Sequence, residues 1–148
     1  MAFSGNFMCT SFKKELMEGG HNFKNSGGDT FKIALYTDSA SFTAATTEYT
    51  SSNEITGTNY SAKGNTLVNV DPTDGGSGTT AYTDFTDTSW STATFSAMGA
   101  MIFNEDHTSP ADSSVIILDF GALKRATAGT CTIAFPAAPA SNAIIRIA

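Results

Sequence analysis

Thr88-Ser-Trp-Ser-Thr-Ala-Thr-Phe-Ser-Ala-Met-Gly-Ala-Met-Ile-Phe-Asn104 decides the fold class. Its first half alternates: Ser91, Ala93, Phe95 and Ala97 point one way, and Thr92, Thr94, Ser96 and Met98 the other. A period of two marks a strand with one dry face. Gly99 interrupts the pattern, and a glycine inside a strand marks a bulge or a close backbone approach. Ala100, Met101, Ile102 and Phe103 are then apolar on both faces, as a strand buried on both sides requires. The stretch reads as the central strand of a β-domain, with its second half the most buried.

Similar patterns lie on either side of it. Phe31 to Thr37 alternates, with Phe31, Ile33 and Leu35 inward and Lys32, Ala34 and Tyr36 outward or towards a second layer. Further strands are predicted at Thr66 to Val70, Thr80 to Phe85, Val115 to Phe120, Thr130 to Phe135 and Ala143 to Ala148. Asp38 to Thr50 reads as an irregular or briefly helical excursion, Asp74 to Gly78 as an exposed loop tip, and Glu105 to Ser113 as a polar connection. Ala122 to Gly129 reads as a loop carrying Lys124 and Arg125, and Pro136 to Ala140 as a break. Phe7 to Glu18 is the one helical pattern. Met8, Phe12 and Leu16 recur on one face, Thr10 or Ser11 can cap the start, and Gly19-Gly20 stops it.

Short strands at frequent spacing, with turn residues between them, predict an all-β fold. The expected form is an antiparallel sandwich or a jelly-roll-like barrel with a short N-terminal helix. Residues 1–28 form an arm and helix, and residues 29–148 form the β-domain. Phe95, Ile102, Ile116, Leu118 and Ile133 are the expected core.

Composition limits the function. Across 148 residues only 15% are charged, against about 25% in typical soluble domains. The net charge of −6 and the scattered lysines and arginines argue against nucleic acid as a partner. No apolar run is long enough to cross a membrane. The first residues lack the basic start and apolar block of a secretion signal. Cys9 and Cys131 are then expected to be free and buried.

Catalytic motifs do not emerge. There is no G-x-S-x-G elbow, and Gly76-Ser77-Gly78 sits in a flexible loop, a poor place for a preorganised nucleophile. Glu105, Asp106, His107 and Asp112 share one loop without calcium or zinc spacing, so they read as a solvated turn. No catalytic, cofactor or metal residues are assigned, and an enzyme is not expected. Tyr36, Tyr49, Tyr60, Tyr82 and Trp90 are the candidates for a sugar platform, but aromatic residues of this kind also pack between sheets or at their rims.

Several stretches together carry a resemblance. They are Ser11 to Phe23, Asp29 to Thr37, Thr47 to Leu67, Trp90 with Ala93 to Asn104, Val115 to Gly121, Gly129 to Pro136, and Ser141 to Ala148. In order and spacing the chain resembles small virion structural proteins of tailed bacteriophages, of the capsid decoration (cement) or head fibre type. The resemblance spans nearly the whole chain, and no single motif carries it. It implies a homo-oligomer made in the host cytoplasm and placed on the capsid exterior, bound to the major capsid protein, without enzymatic activity or cofactor. The alternatives are a tail, collar or fibre component, or a virion-borne carbohydrate-binding module. Partner contact is expected through Phe3, Phe7, Met8, Phe12 and Leu16, because these are many apolar side chains for a solvated tail. Such an arm can lie across a neighbour and order on binding.

Overall fold

The computed structural model describes residues 3–74, 78–137 and 141–148. The loop tip expected at 74–78 and the break expected at 136–140 fall partly outside these residues. The chain is an all-β antiparallel fold, and of the two expected forms it is the sandwich.

Its elements are β1 (Phe7–Met8), α1 (Thr10–Met17), β2 (Phe31–Tyr36), β3 (Asn65–Thr66), β4 (Asn69–Thr73), β5 (Ala81–Phe85), β6 (Thr88–Thr108), β7 (Ala111–Ile133) and β8 (Ile145–Ile147). One sheet has five strands in the order β1-β7-β6-β2-β3, and the other has three in the order β4-β5-β8.

The stretch that decided the fold class lies within β6, at the centre of the larger sheet. Ile102 sits opposite Ile33 on β2 and Ile116 on β7, and Ala100 sits opposite Leu35 and Leu118. Residues opposite one another share a face, so each of these rows is a contiguous apolar band. Both faces are covered. On one, Phe31 meets Phe23 at 4.4 Å and Phe85 of the smaller sheet at 5.6 Å between ring centroids. On the other, Phe103 meets Tyr49 at 4.9 Å, and Tyr36 meets Phe42 at 4.8 Å. Tyr49 and Phe42 belong to the irregular excursion after β2, which serves as the second cover.

Of the expected core, Phe95, Ile102, Ile116 and Leu118 are buried, and Ile133 is half-buried. The alternation in β6 is offset at its start. The pairing register shifts between Trp90 and Ala93, and Thr92 takes a φ of 51°. This bulge turns Trp90 inward and leaves Ser91 exposed, while Ala93, Phe95 and Ala97 keep the inward face predicted for them.

Two connections are strand instead. Glu105 to Ser113 closes a hairpin, with β6 running to Thr108 and Thr108 opposite Ala111. Ala122 to Gly129 lies within β7, where Lys124, Arg125 and Ala126 pair with Ala97, Ser96 and Phe95. Most of its side chains are exposed, so it carries no apolar alternation. Backbone pairing with β6 makes it a strand.

The helix is shorter than predicted. Phe7 and Met8 pair with Ile117 and Ile116 as an edge strand, and Cys9 takes the N-cap position without a side-chain bond. The stop is at the expected place. Gly19 adopts a φ of 75°, its N–H donates to the Leu16 carbonyl at 3.2 Å, and the Gly20 N–H donates to the Glu15 carbonyl at 2.8 Å. This is a Schellman ending, which needs a residue at ease in the left-handed region. The segment before residue 28 shares the core of the β-domain, since Phe12 packs on Phe23, and Phe23 on Phe31 and Phe85.

Asp84 on β5 is a buried acid with one oxygen left over. Its carboxylate accepts the Phe85 N–H at 2.9 Å and the Ile144 N–H, while Oδ2 has no partner among the described residues. Burial pushes this carboxyl above its ordinary value of 3.8. The fold therefore favours the protonated acid. Its favourable contribution is complete below 3.8 and is lost as pH rises through the folded-state value. Asp84→Asn is expected to raise stability at neutral pH by about 1 kcal/mol. The gain should shrink as the solution is acidified, because wild type then becomes neutral too. Denaturant unfolding of both proteins across the acid range checks this, and a variant less stable than wild type at neutral pH would contradict it.

Candidate functional site

The expected contact residues divide. Phe3 and Phe12 are fully inside the chain's own core, so in this fold they are closed to a partner. Phe3 lies edge-on to Phe42, and Phe12 packs against Phe23 and His21. Their apolar area is already used within the domain. Phe7, Met8 and Leu16 are half-buried and retain accessible surface.

Leu16 lines a groove of about 480 Å³ between α1 and the smaller sheet, with Phe23, Pro72, Tyr82, Ile145 and Ile147. Ile147 in this groove is 58% exposed, and Met17, at the end of α1 but outside the groove lining, is 83% exposed. A second groove of about 580 Å³ runs along β7, where Phe120, Lys124, Arg125, Cys131, Phe135 and Ile144 line it. Both cysteines are free thiols. Cys9 is buried, Cys131 is half-buried in this second groove, and burial pushes both pKa values up.

The aromatic candidates are mostly engaged internally. Tyr36 and Trp90 are buried. The Tyr36 hydroxyl donates to the Thr50 carbonyl at 2.7 Å. Tyr60 donates to Glu54 at 2.7 Å and accepts the Leu35 N–H at 2.8 Å, and Tyr49 donates to the same Glu54 carboxylate. Burial, then the neighbouring Glu54 carboxylate, holds all three phenols well above their ordinary range. Tyr82 is half-buried on the first groove.

The acidic hairpin loop also divides. Glu105 and Asp112 hold Lys63 at 3.4 and 2.9 Å, and Glu105 holds Lys32 at 3.2 Å. Asp106 accepts the Thr30 N–H at 2.6 Å. His107 turns away from these acids towards the end of α1.

There it meets a polar cluster within the apolar interior. Glu15 on α1 and His21 in the turn after it are both buried. His21 Nε2–H donates to Glu15 Oε2 at 2.9 Å, and the Ser113 hydroxyl donates to the same oxygen. The Asn104 amide donates to His21 Nδ1 at 3.0 Å and to Asp29 at 2.8 Å, which fixes the His21 tautomer. His107 stacks on His21 with ring centroids 5.0 Å apart and an interplanar angle of 16°. Its Nδ1–H donates to the Pro110 carbonyl at 2.8 Å, and its Nε2 faces Glu15 Oε2 at 3.9 Å. Burial pushes the His21 imidazole below its ordinary value, partly offset by Glu15.

By sequence His107 reads as part of a solvated turn, and neither His21 nor Glu15 carries a motif. The signal that was present is local. Glu15 follows Phe12 by three residues, on the helix face that Phe12 buries, and an acid there requires a partner.

No protein-family model matches the chain, and no curated protein or solved structure matches it either. Among the described residues, no helix is long and apolar enough to cross a membrane.

Proposed function

We propose that this chain is a structural protein of a tailed-phage virion that decorates the capsid exterior. It binds the major capsid protein lattice and stabilises the head by adhesion. The resemblance of its ordered motifs to such proteins carries the reading, and the apolar groove beside α1 supports a role in surface contact.

Partner contact moves from the buried Phe3 and Phe12 to Leu16 and Ile147 of the groove and to Met17 at the end of α1. Two of these side chains are largely exposed, and covering each fully contributes about 1.5–3 kcal/mol. Repetition over a lattice multiplies a modest contact, and binding to the folded state stabilises both partners by mass action. The low charge of the chain suits a seam between neutral protein surfaces.

The test uses capsids that lack the protein. Wild type is expected to decorate them. The double variant Met17→Glu, Ile147→Glu should bind at least about tenfold more weakly, the equivalent of about 1.4 kcal/mol, while remaining folded by circular dichroism. Decoration by the double variant at wild-type density would remove Met17 and Ile147 from the contact. Failure of wild type to bind any capsid preparation, with localisation to the tail in the purified particle, would overturn the decoration role.

A further inference from the structure

We propose that Glu15, His21 and His107 form a zinc(II) site that joins α1, the turn after it and the tip of the β6–β7 hairpin. The site is independent of the proposed capsid role. One carboxylate oxygen and one ring nitrogen from each histidine lie within 4.8 Å of one another. Two histidines and a glutamate form a ligand set suited to zinc, with donor distances of about 2.0–2.2 Å. Separations of 2.9 and 3.9 Å are already present, and bringing all three donors onto one ion requires the His107 ring to turn out of its stack on His21, because a ligating nitrogen binds in its ring plane.

The cluster has features that a bare hydrogen-bond network would not need. His107 donates Nδ1–H to the Pro110 carbonyl, the outer contact that orients a metal-ligating imidazole. That tautomer leaves a lone pair on Nε2. In the neutral ring that lone pair faces a carboxylate oxygen across 3.9 Å, beyond hydrogen-bond reach. Two electron-rich atoms facing each other in a largely buried site repel, and a cation between them, a proton on His107 or a metal ion, removes the repulsion. Gly20 borders the same point: a Cβ there would stand 3.0 Å from His107 Nε2. The missing side chain leaves an approach from the half-exposed turn.

Loading has a defined internal cost. His21 Nε2 now carries the proton shared with Glu15. For that nitrogen to bind metal, the proton moves to Nδ1, and the Asn104 amide turns so that its oxygen accepts it. The Asp106 N–H, which donates to that oxygen at 3.0 Å, then loses its partner, and Asp29 loses the 2.8 Å bond it accepts from the amide nitrogen. Zinc should therefore shift the Asp106 amide resonance as well as both imidazoles.

The experiment titrates the whole chain, stripped with EDTA, with zinc chloride at mildly alkaline pH, where free imidazole is neutral. Calorimetry and thermal unfolding are the first readouts. The expected result is one zinc per chain and a raised Tm. Glu15→Gln and His107→Gln should each weaken binding by at least about tenfold. Glu15→Gln keeps an acceptor for His21 and Ser113, so it is expected to fold. Should either variant unfold, the imidazole and Asp106 resonances of wild type under zinc titration decide the matter. No binding, binding that survives in both folded variants, or zinc uptake that leaves those resonances unmoved would each overturn the site. A cluster that responds to acid but not to zinc would show that a proton is its only cation.

Discussion

Ile102→Ala is expected to lower the stability of the chain by about 2–5 kcal/mol, the range for removing a buried branched side chain and leaving a cavity. Ile102 has no exposed surface and lies between Ile33 and Ile116 in the middle of the larger sheet. β2 and β7 are held by their own pairing to β6 and cannot close the gap without shifting the register. The cavity cost should therefore stay near the full value. Leu118→Ala, in the adjoining row opposite Ala100, is expected to follow it. Leu123→Ala is the control. That side chain is 41% exposed, and its loss should change stability by about 0.5 kcal/mol or less. Urea unfolding midpoints check all three. Equal midpoints for Ile102→Ala and Leu123→Ala would show that the row is not a tightly packed core.

Gly99→Ala is the second large effect, of about 3 kcal/mol. A Cβ at this position would come within 2.4 Å of the Phe3 ring and 2.5 Å of the Leu118 carbonyl oxygen. The carbonyl belongs to the paired strand and cannot retreat, so the ring must leave or the backbone must bend. Overpacking costs about 1–3 kcal/mol, and exposing Phe3 gives up about 1.5–3 kcal/mol of burial. The variant also tests how the N-terminal segment is held. With Phe3 expelled, the contacts of Gly5 and Asn6 with Asp119 should loosen, and limited proteolysis should cut ahead of β1 at concentrations that spare wild type. A Gly99→Ala protein with wild-type stability and an uncut N-terminus would show that Phe3 is not seated on this strand. The same packing predicts that a deletion reaching Phe3 weakens the fold itself, so loss of capsid binding in such a deletion would not identify an arm.

Local patterns carried much of the architecture. The alternation through Phe95 and Ala97 and the apolar runs at 100–103 and 115–118 placed the two central strands and their burial. The side-chain period of a strand is a property of the strand alone. The end of α1 at Gly19-Gly20 was equally legible, because a left-handed residue after a helix is a local requirement.

Tertiary structure decided the rest. The strand at 122–129 exists because β6 offers it backbone partners, and its exposed side chains carry no trace of that. β1 is two residues long, too short for any period, and is a strand only because Ile116 and Ile117 lie beside it. Phe3 is internal because Gly99 leaves room for its ring. The cluster of Glu15, His21 and His107 joins a helix face, a turn and a hairpin tip. No spacing along the chain encodes it, because the hairpin must fold back over α1 before His107 can face the other two.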